Sequence, residues 1–167
     1  MLFFIYDKLM NIEERDKLGF PLPFLTFSYI QPYKTYKDNS NETILAINYN
    51  EGMRGKNNDK VIGGIYLLDK RYLRYLDGYY GCSLSTFGVN SKHDRFHRVK
   101  IDTKPIEFSS LDNLSRLIYN DKEPIEVFTY LGNIQNKQVY NIIRQPRYRV
   151  NSGLDLANFL NQYKEMI

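Results

Sequence analysis

The sequence predicts one α+β domain over residues 1–167, and three observations carry that reading. Fifteen Tyr and ten Phe without a Trp point to a β-rich core, because aromatic rings fit the half-buried pleated face of a sheet. Most apolar runs are short and bounded by Gly, Pro, Asn or Asp, as strands are, and only a few segments space their apolar residues as a helix does. The length suits a single domain with a real core. No internal repeat, low-complexity tract or linker divides the chain.

In chain order, Leu2 to Tyr6 reads as a buried strand. A polar turn and a short helix or loop through Glu13, Glu14, Arg15, Asp16 and Lys17 follow. Pro23 to Ile30 alternates in part and is rich in aromatic residues, so it reads as a strand that Pro32 breaks, with an edge resuming over Tyr33 to Tyr36. Lys37 to Glu42 is a polar turn, Thr43 to Tyr49 a strand, and Asn50 to Lys60 a loop punctuated by Gly52 and Gly55. Val61 to Leu68 is a strand with a double glycine near its start. Asp69 then caps a helix in which Tyr72, Leu73 and Leu76 share a face. Phe96 to Ile101 reads as a strand, and Ser110 to Tyr119 as a helix on the spacing of Leu111, Leu114, Leu117 and Ile118. Glu126 to Leu131 alternates as a strand does. Ser152 caps a last helix with Leu156, Phe159, Leu160 and Tyr163 as its apolar stripe.

Charge and cysteine content narrow the function classes. A net charge of +4 and a pI near 9.0 describe a mildly basic surface in which Asp and Glu are mixed with Lys and Arg; this is no nucleic-acid footprint. The densest basic run, Lys92, His93, Arg95, His97, Arg98 and Lys100, splits its charges between two strand faces and reads as a solvated strand end. Arg144, Arg147 and Arg149 read the same way. Cys82 is the single cysteine, which excludes an intramolecular disulfide and a cysteine-only metal site. A reducing, cytoplasmic setting is therefore expected. With no sequence-local base beside it, Cys82 reads as a buried neutral thiol. His93 and His97 have no cysteine partner or helical His pair for zinc. The apolar start meets Asp7 and Lys8 too early for a signal core or a membrane span, so no membrane partner is expected. Walker, dinucleotide, Gly-x-Ser-x-Gly and kinase signatures are missing, and no cofactor is expected. Abundant Asn, Lys, Tyr and Ile fit an A+T-rich genome, such as that of a virus, a phage or a low-GC bacterium.

The most informative stretch is Leu76-Asp77-Gly78-Tyr79-Tyr80-Gly81 behind the run from Val61 to Tyr75. It resembles the γ-glutamylcyclotransferase-like (AIG2-like, γ-glutamylamine cyclotransferase) segment "G-x-(V/I)-Y-x-(L/V)-(D/N)…L-x-x-L-D-x-x-E-G". Phe4-Ile5-Tyr6-Asp7-Lys8-Leu9 is similar to the family's "(F/V)-x-Y-G-(S/T)-(N/L)" loop. Leu18-Gly19 and Pro32-Tyr33-Lys34-Thr35-Tyr36 are similar to "L-G…P-G-Y-x-(L/M)-Y". Glu126 to Tyr130 resembles "A-x-V-Y-x-Y", and Gln145-Pro146-Arg147-Tyr148 a late "P-S-x-x-Y". The patches cover roughly residues 2–36 and 61–131, with an insertion around Asp102 to Glu123. The resemblance implies a small, strongly curved mixed sheet or barrel with short flanking helices. It also implies a pocket lined by Tyr6, Asp7, Lys8 and Leu9 on one loop and by Tyr79, Tyr80 and Gly81 on the other.

Two departures bear on activity. In the family, the loop after the first strand holds a substrate carboxylate through its backbone amides, and the Glu before the final Gly is the catalytic acid/base. Here Asp7 replaces the Gly that lets backbone approach an anion, adding bulk and negative charge. Tyr80 stands where that Glu stands. A phenol of reference pKa about 10 is protonated at neutral pH and is a poor base. The expected function is that of a diverged relative that lacks cyclotransferase activity and binds a small metabolite or a protein partner through the pocket. The alternative is an enzyme on γ-glutamyl amines or related amides with a different acid/base, first of all Asp77, three residues before the vacated position.

Overall fold

The computed structural model describes residues 1–38, 42–47, 60–83, 91–108, 117–119, 123–143 and 161–163. Most of the expected 50–60 loop and the expected helix up to residue 116 lie outside these residues. So do the group Arg144, Arg147 and Arg149, the segment Gln145 to Tyr148, and the cap Ser152 with Leu156, Phe159 and Leu160.

The chain begins with β1 (Leu2–Ile5), a 3₁₀ turn at Lys8–Met10 and α1 (Ile12–Asp16). Strands β2 (Phe24–Ile30), β3 (Tyr33–Lys37), β4 (Thr43–Ile47) and β5 (Val61–Leu67) follow, with a cis Gln31–Pro32 bond between β2 and β3. A second 3₁₀ turn, Lys70–Tyr72, leads into α2 (Leu73–Tyr79), and β6 (Phe96–Phe108), β7 (Leu117–Tyr119), β8 (Ile125–Gly132) and α3 (Lys137–Ile143) complete the set.

Five strands in the order β2-β5-β1-β8-β6 close into a barrel, because Ser28 and Tyr29 of β2 also pair with Pro105 and Lys104 of β6. β7 extends the far edge of β6, and β3 and β4 form a separate hairpin. The sheet is mixed: β1 runs parallel to β8 and antiparallel to β5. Closure removes the free edges that an open sheet of this size would expose. Two buried threonines satisfy backbone carbonyls at the seams, Thr103 donating to Tyr29 O at 2.9 Å and Thr129 to Phe4 O at 2.8 Å.

β1 is buried on both faces, as its unbroken apolar run requires. Phe3 and Ile5 enter one core cluster, and Phe4 and Tyr6 enter the other. The fully buried aromatic side chains include Phe3, Phe4, Phe27, Tyr36, Tyr66, Tyr130 and Tyr163. Each such Phe ring contributes on the order of 1.5–3 kcal/mol through burial. Gly63 is required by proximity, since a Cβ there would lie 2.4 Å from the Ile5 carbonyl oxygen and 2.6 Å from the Phe4 ring.

Three elements differ from the sequence expectation. Asp69 does cap, accepting from Arg71 N at 2.9 Å, but it opens the 3₁₀ turn and α2 starts only at Leu73. Leu117–Tyr119 is strand, paired with Ile106 to Phe108 of β6, where apolar spacing suggested the end of a helix. Tertiary pairing with an extended neighbour overrode local periodicity there. α3 was not anticipated, although Asn136 accepts from Gln138 N at 3.0 Å as a cap and Val139 and Ile143 are buried one turn apart. Among the described residues, no helix is long and apolar enough to cross a membrane.

Candidate functional site

At the end of β1 the chain is held by Tyr6, whose hydroxyl donates to Tyr130 O at 2.7 Å and accepts from Leu45 N at 3.3 Å. One phenol thereby ties β1, β8 and the β3–β4 hairpin together. Asp7 follows with extended backbone, and its side chain accepts from Leu9 N at 3.0 Å, capping the 3₁₀ turn. This local bond turns the carboxylate inward, and the residue is 7% exposed. Burial pushes the Asp7 carboxyl above the ordinary aspartate range. The nearby Tyr80 phenol, the Leu9 amide and the Lys8 ammonium oppose that shift only in part.

The second wall comes from the end of α2. β5 runs antiparallel to β1, so its own C-terminal end points away from Asp7. The loop behind it does not meet the β1 loop directly. α2 carries the chain back, and Tyr79, Tyr80 and Gly81 reach the pocket from its last turn. Gly81 makes that turn at φ +62°, where a side chain would be strained although its nearest neighbour, the Arg95 Cβ at 3.6 Å, is only in ordinary contact distance. Its amide donates to Gly78 O at 3.1 Å, and Cys82 N donates to Asp77 O at 2.9 Å.

Tyr80 is packed among rings, stacked on Tyr130 with 4.0 Å between centroids and edge-on to Phe96 at 5.6 Å and to Tyr79 at 5.1 Å. Its hydroxyl is buried and closes no hydrogen bond with a described residue. It still lies near enough to Asp7 for the two groups to influence one another. Burial first, and then the Asp7 charge, hold the phenol well above its ordinary pKa. Tyr80 therefore stays protonated at any neutral pH.

Between these walls is a cavity of about 190 Å³. The β1 loop supplies Asp7 and Lys8, the α2 turn Gly78 to Gly81, the β3–β4 hairpin Lys37, Glu42 and Thr43, and β6 Arg95 and Phe96. Arg95 pairs with Asp38 and, at 2.6 Å, with Glu42. Lys8 reaches Glu42 at 3.8 Å and lies over the Tyr79 ring at 5.6 Å. The Lys37 ammonium donates to Thr43 Oγ1 at 3.0 Å.

The structure thus gathers Asp7, Lys8, Tyr79, Tyr80 and Gly81 around one cavity. Tyr6 stands beside them as a strut, and Leu9 is fully buried in the core beneath the loop. Asp77 lies elsewhere. It is 3% exposed, accepts from Arg98 at 2.5 Å and from the Tyr130 hydroxyl at 2.7 Å, and does not line the cavity. Arg95 read from sequence as part of a solvated strand end, yet it forms one wall. The hairpin residues Lys37, Glu42 and Thr43 carried no local signal, because only folding of the hairpin over the barrel brings them here.

Cys82 is buried, and desolvation raises its thiol pKa, so it is a poor nucleophile. His97 meets the Ser91 carbonyl at 3.2 Å, and His93 is exposed. Among the described residues no three His, Cys, Asp or Glu side chains gather as a metal site.

This architecture is similar to that of several solved proteins. A γ-glutamyl cyclotransferase superposes with a TM-score of 0.52 at 13% identity, over 78% of this chain and 65% of that one. The chain thus spans slightly less than two thirds of that enzyme's length. A protein from Arabidopsis thaliana gives 0.56 at 10% identity, over 99% and 85% of the two chains. An AIG2-like protein from Mus musculus gives 0.53 at 16% identity, over 88% and 80%. The chain has the γ-glutamylcyclotransferase-like fold. At these identities the likeness concerns backbone architecture, and within the γ-glutamylcyclotransferase-like barrel the pocket chemistry is set by this chain's own residues. No protein-family profile and no curated protein matches the sequence.

Proposed function

We propose that this chain is a diverged relative of the γ-glutamylcyclotransferases that binds a small polar ligand between its Asp7–Lys8 loop and its Tyr79–Gly81 turn, and that it does not cyclise γ-glutamyl substrates. The observation that carries the reading is Tyr80. A buried phenol, stacked on Tyr130 and held above its ordinary pKa, fills the position where the resemblance expects a carboxylate. Cyclisation needs one group to take a proton from the attacking amine and return one to the leaving amine, and a carboxylate of raised pKa does both near neutral pH. A phenol that never ionises can only donate. Asp7 adds a second obstacle, because its Cβ and charge occupy the place where a Gly lets backbone amides approach an anion. Asp77, engaged by Arg98 and Tyr130 and outside the lining, offers no ready substitute.

The test has two arms. Incubation with glutathione and with γ-glutamyl amines is expected to release no 5-oxoproline above blank. A thermal-shift screen of small polar metabolites is expected to find a stabilising ligand, since one held at 100 times its Kd adds about 2.7 kcal/mol. Ordinary turnover would overturn the first half. The second half fails if no compound shifts the melting temperature while capture of a protein partner survives Tyr80→Ala.

A further inference from the structure

The charges around the cavity are unequally matched. Arg95 is committed to Asp38 and Glu42, and Glu42 also faces Lys8. The Lys37 ammonium is bonded to Thr43. Asp7 is different. It is more than nine-tenths buried, it lines the cavity, and no cation lies within salt-bridge distance of it among the described residues. Among the described residues one hydrogen bond holds it, from the Leu9 amide to Oδ1, and the neutral Tyr80 phenol nearby eases its charge without supplying a counter-charge. A buried carboxylate in that state is costly unless a counter-charge arrives.

The surroundings suit one kind of counter-charge. Tyr79, Tyr80 and Phe96 line the same cavity, and aromatic faces beside a carboxylate attract cations through their quadrupoles. Two of these rings already do so within the chain, Lys8 lying 5.6 Å from the Tyr79 centroid and Arg95 5.8 Å from that of Phe96. An anionic ligand would meet Asp7 at close range with cations already engaged by Glu42 and Asp38. A neutral ligand would leave Asp7 uncompensated.

We propose that the pocket takes a small primary amine, its ammonium group docked on the Asp7 carboxylate beside the rings of Tyr79, Tyr80 and Phe96. The ammonium supplies the counter-charge that the fold withholds from Asp7, and the aromatic wall receives its alkyl stem. This rests on the cavity being the ligand site, and it names the class of ligand.

The full chain is titrated at pH 8 with three probes of one shape, n-butylamine, sodium butyrate and n-butanol, and binding is followed by amide chemical shifts. Saturable binding of n-butylamine alone is expected, with perturbed signals around Asp7, Tyr79 and Gly81. Asp7→Asn keeps an acceptor for the Leu9 amide, so it retains the cap, and its unliganded melting curve reports whether it folds. This variant should bind n-butylamine at least tenfold more weakly. Saturable binding of butyrate or butanol in place of the amine, weakened by Tyr79→Ala, overturns the amine class and leaves the pocket reading standing. Amine binding that Asp7→Asn leaves unchanged overturns the assignment to Asp7. If none of the three probes binds and no metabolite shifts the melting temperature, both readings fall.

Discussion

The ring of Tyr80 lies flat on that of Tyr130, 4.0 Å apart with 14° between planes, and the Tyr130 hydroxyl donates to Asp77 at 2.7 Å. The pocket wall is therefore continuous with the Asp77–Arg98 pair behind it. A carboxylate on α2 whose partners are not legible in sequence is part of the support for the residue next to the cavity.

Tyr80 should accordingly behave as a packing residue with one wasted hydroxyl. Tyr80→Ala removes a ring packed against three others and is expected to cost about 3–5 kcal/mol, the range for large-to-small aromatic changes in cores. Tyr80→Phe removes only a buried hydroxyl that closes no hydrogen bond with a described residue and should be neutral or slightly stabilising. Urea unfolding of both variants, read as midpoints at unchanged slope, checks the contrast. A large loss in Tyr80→Phe would mean that the hydroxyl has a strong partner after all.

Restoring the pattern of the cyclotransferases should not restore chemistry. In the double variant Asp7→Gly with Tyr80→Glu, a glutamate replaces a ring held by Tyr130, Phe96 and Tyr79. The slot is shaped for an aromatic plane, and loss of Asp7 removes the cap on Leu9 N. The expected outcome is no 5-oxoproline from glutathione or γ-glutamyl amines, together with a lowered melting temperature. Measurable release by this variant would show that the pocket keeps catalytic geometry and that only two side chains separate it from activity.

Much of the barrel was legible because its strands are short apolar runs between strong breakers. β1, β2, β5 and β8 fall within a residue or two of the sequence reading, and the loop of Asp7 and the turn of Tyr80 do meet. What could not be read was set by contacts distant in sequence. Leu117 to Tyr119 keeps helical spacing with its upstream neighbours yet pairs with β6 as strand. Arg95 shows only as one charge in a basic run, and its place in the wall depends on Asp38 and Glu42 from a hairpin more than fifty residues earlier. Antiparallel pairing of β1 with β5 also meant that α2, and not the end of β5, had to deliver Tyr80.

Asp7→Asn should raise stability at neutral pH while weakening the site. Burial raises the native carboxyl pKa above its unfolded value, so the folded state binds more protons than the unfolded state between those two values. Stability contributed by this group therefore falls as pH rises through that window. The penalty is absent below the unfolded value of about 3.9 and complete above the native one. The groups facing Asp7 are Tyr80, the Leu9 amide, Lys8 and Glu42. Asparagine cannot ionise and keeps an acceptor for Leu9 N, so the variant is expected to gain about 0.5–2 kcal/mol near pH 7, the usual return for relieving a functional-site cost. The gain should shrink towards zero as pH falls below the window. Melting curves from pH 4 to pH 8 measure this, and a variant less stable than the parent at pH 7 would contradict it.

The loop that carries Asp7 is also held by Tyr163. Arg15, 8% exposed, has no carboxylate partner among the described residues. Its guanidinium instead donates to the Tyr163 hydroxyl and, at 3.4 Å each, to Tyr66 Oη and Met10 O. Its guanidinium carbon also lies 5.1 Å from the Tyr66 ring centroid and 5.7 Å from that of Tyr163. The Tyr163 hydroxyl in turn donates to Met10 O at 2.8 Å, three residues beyond Asp7. A buried cation without a counter-ion depends on such acceptors, and removing one leaves a charged donor unsatisfied, at a cost of about 1–3 kcal/mol. Tyr163→Phe keeps the ring, including its stack on Phe24 at 4.4 Å, and deletes only the oxygen. It is therefore expected to lose about 1–3 kcal/mol in urea unfolding and to speed amide exchange at Leu9 and Met10. Unchanged exchange at those amides, with stability intact, would show that Tyr163 does not brace the pocket loop.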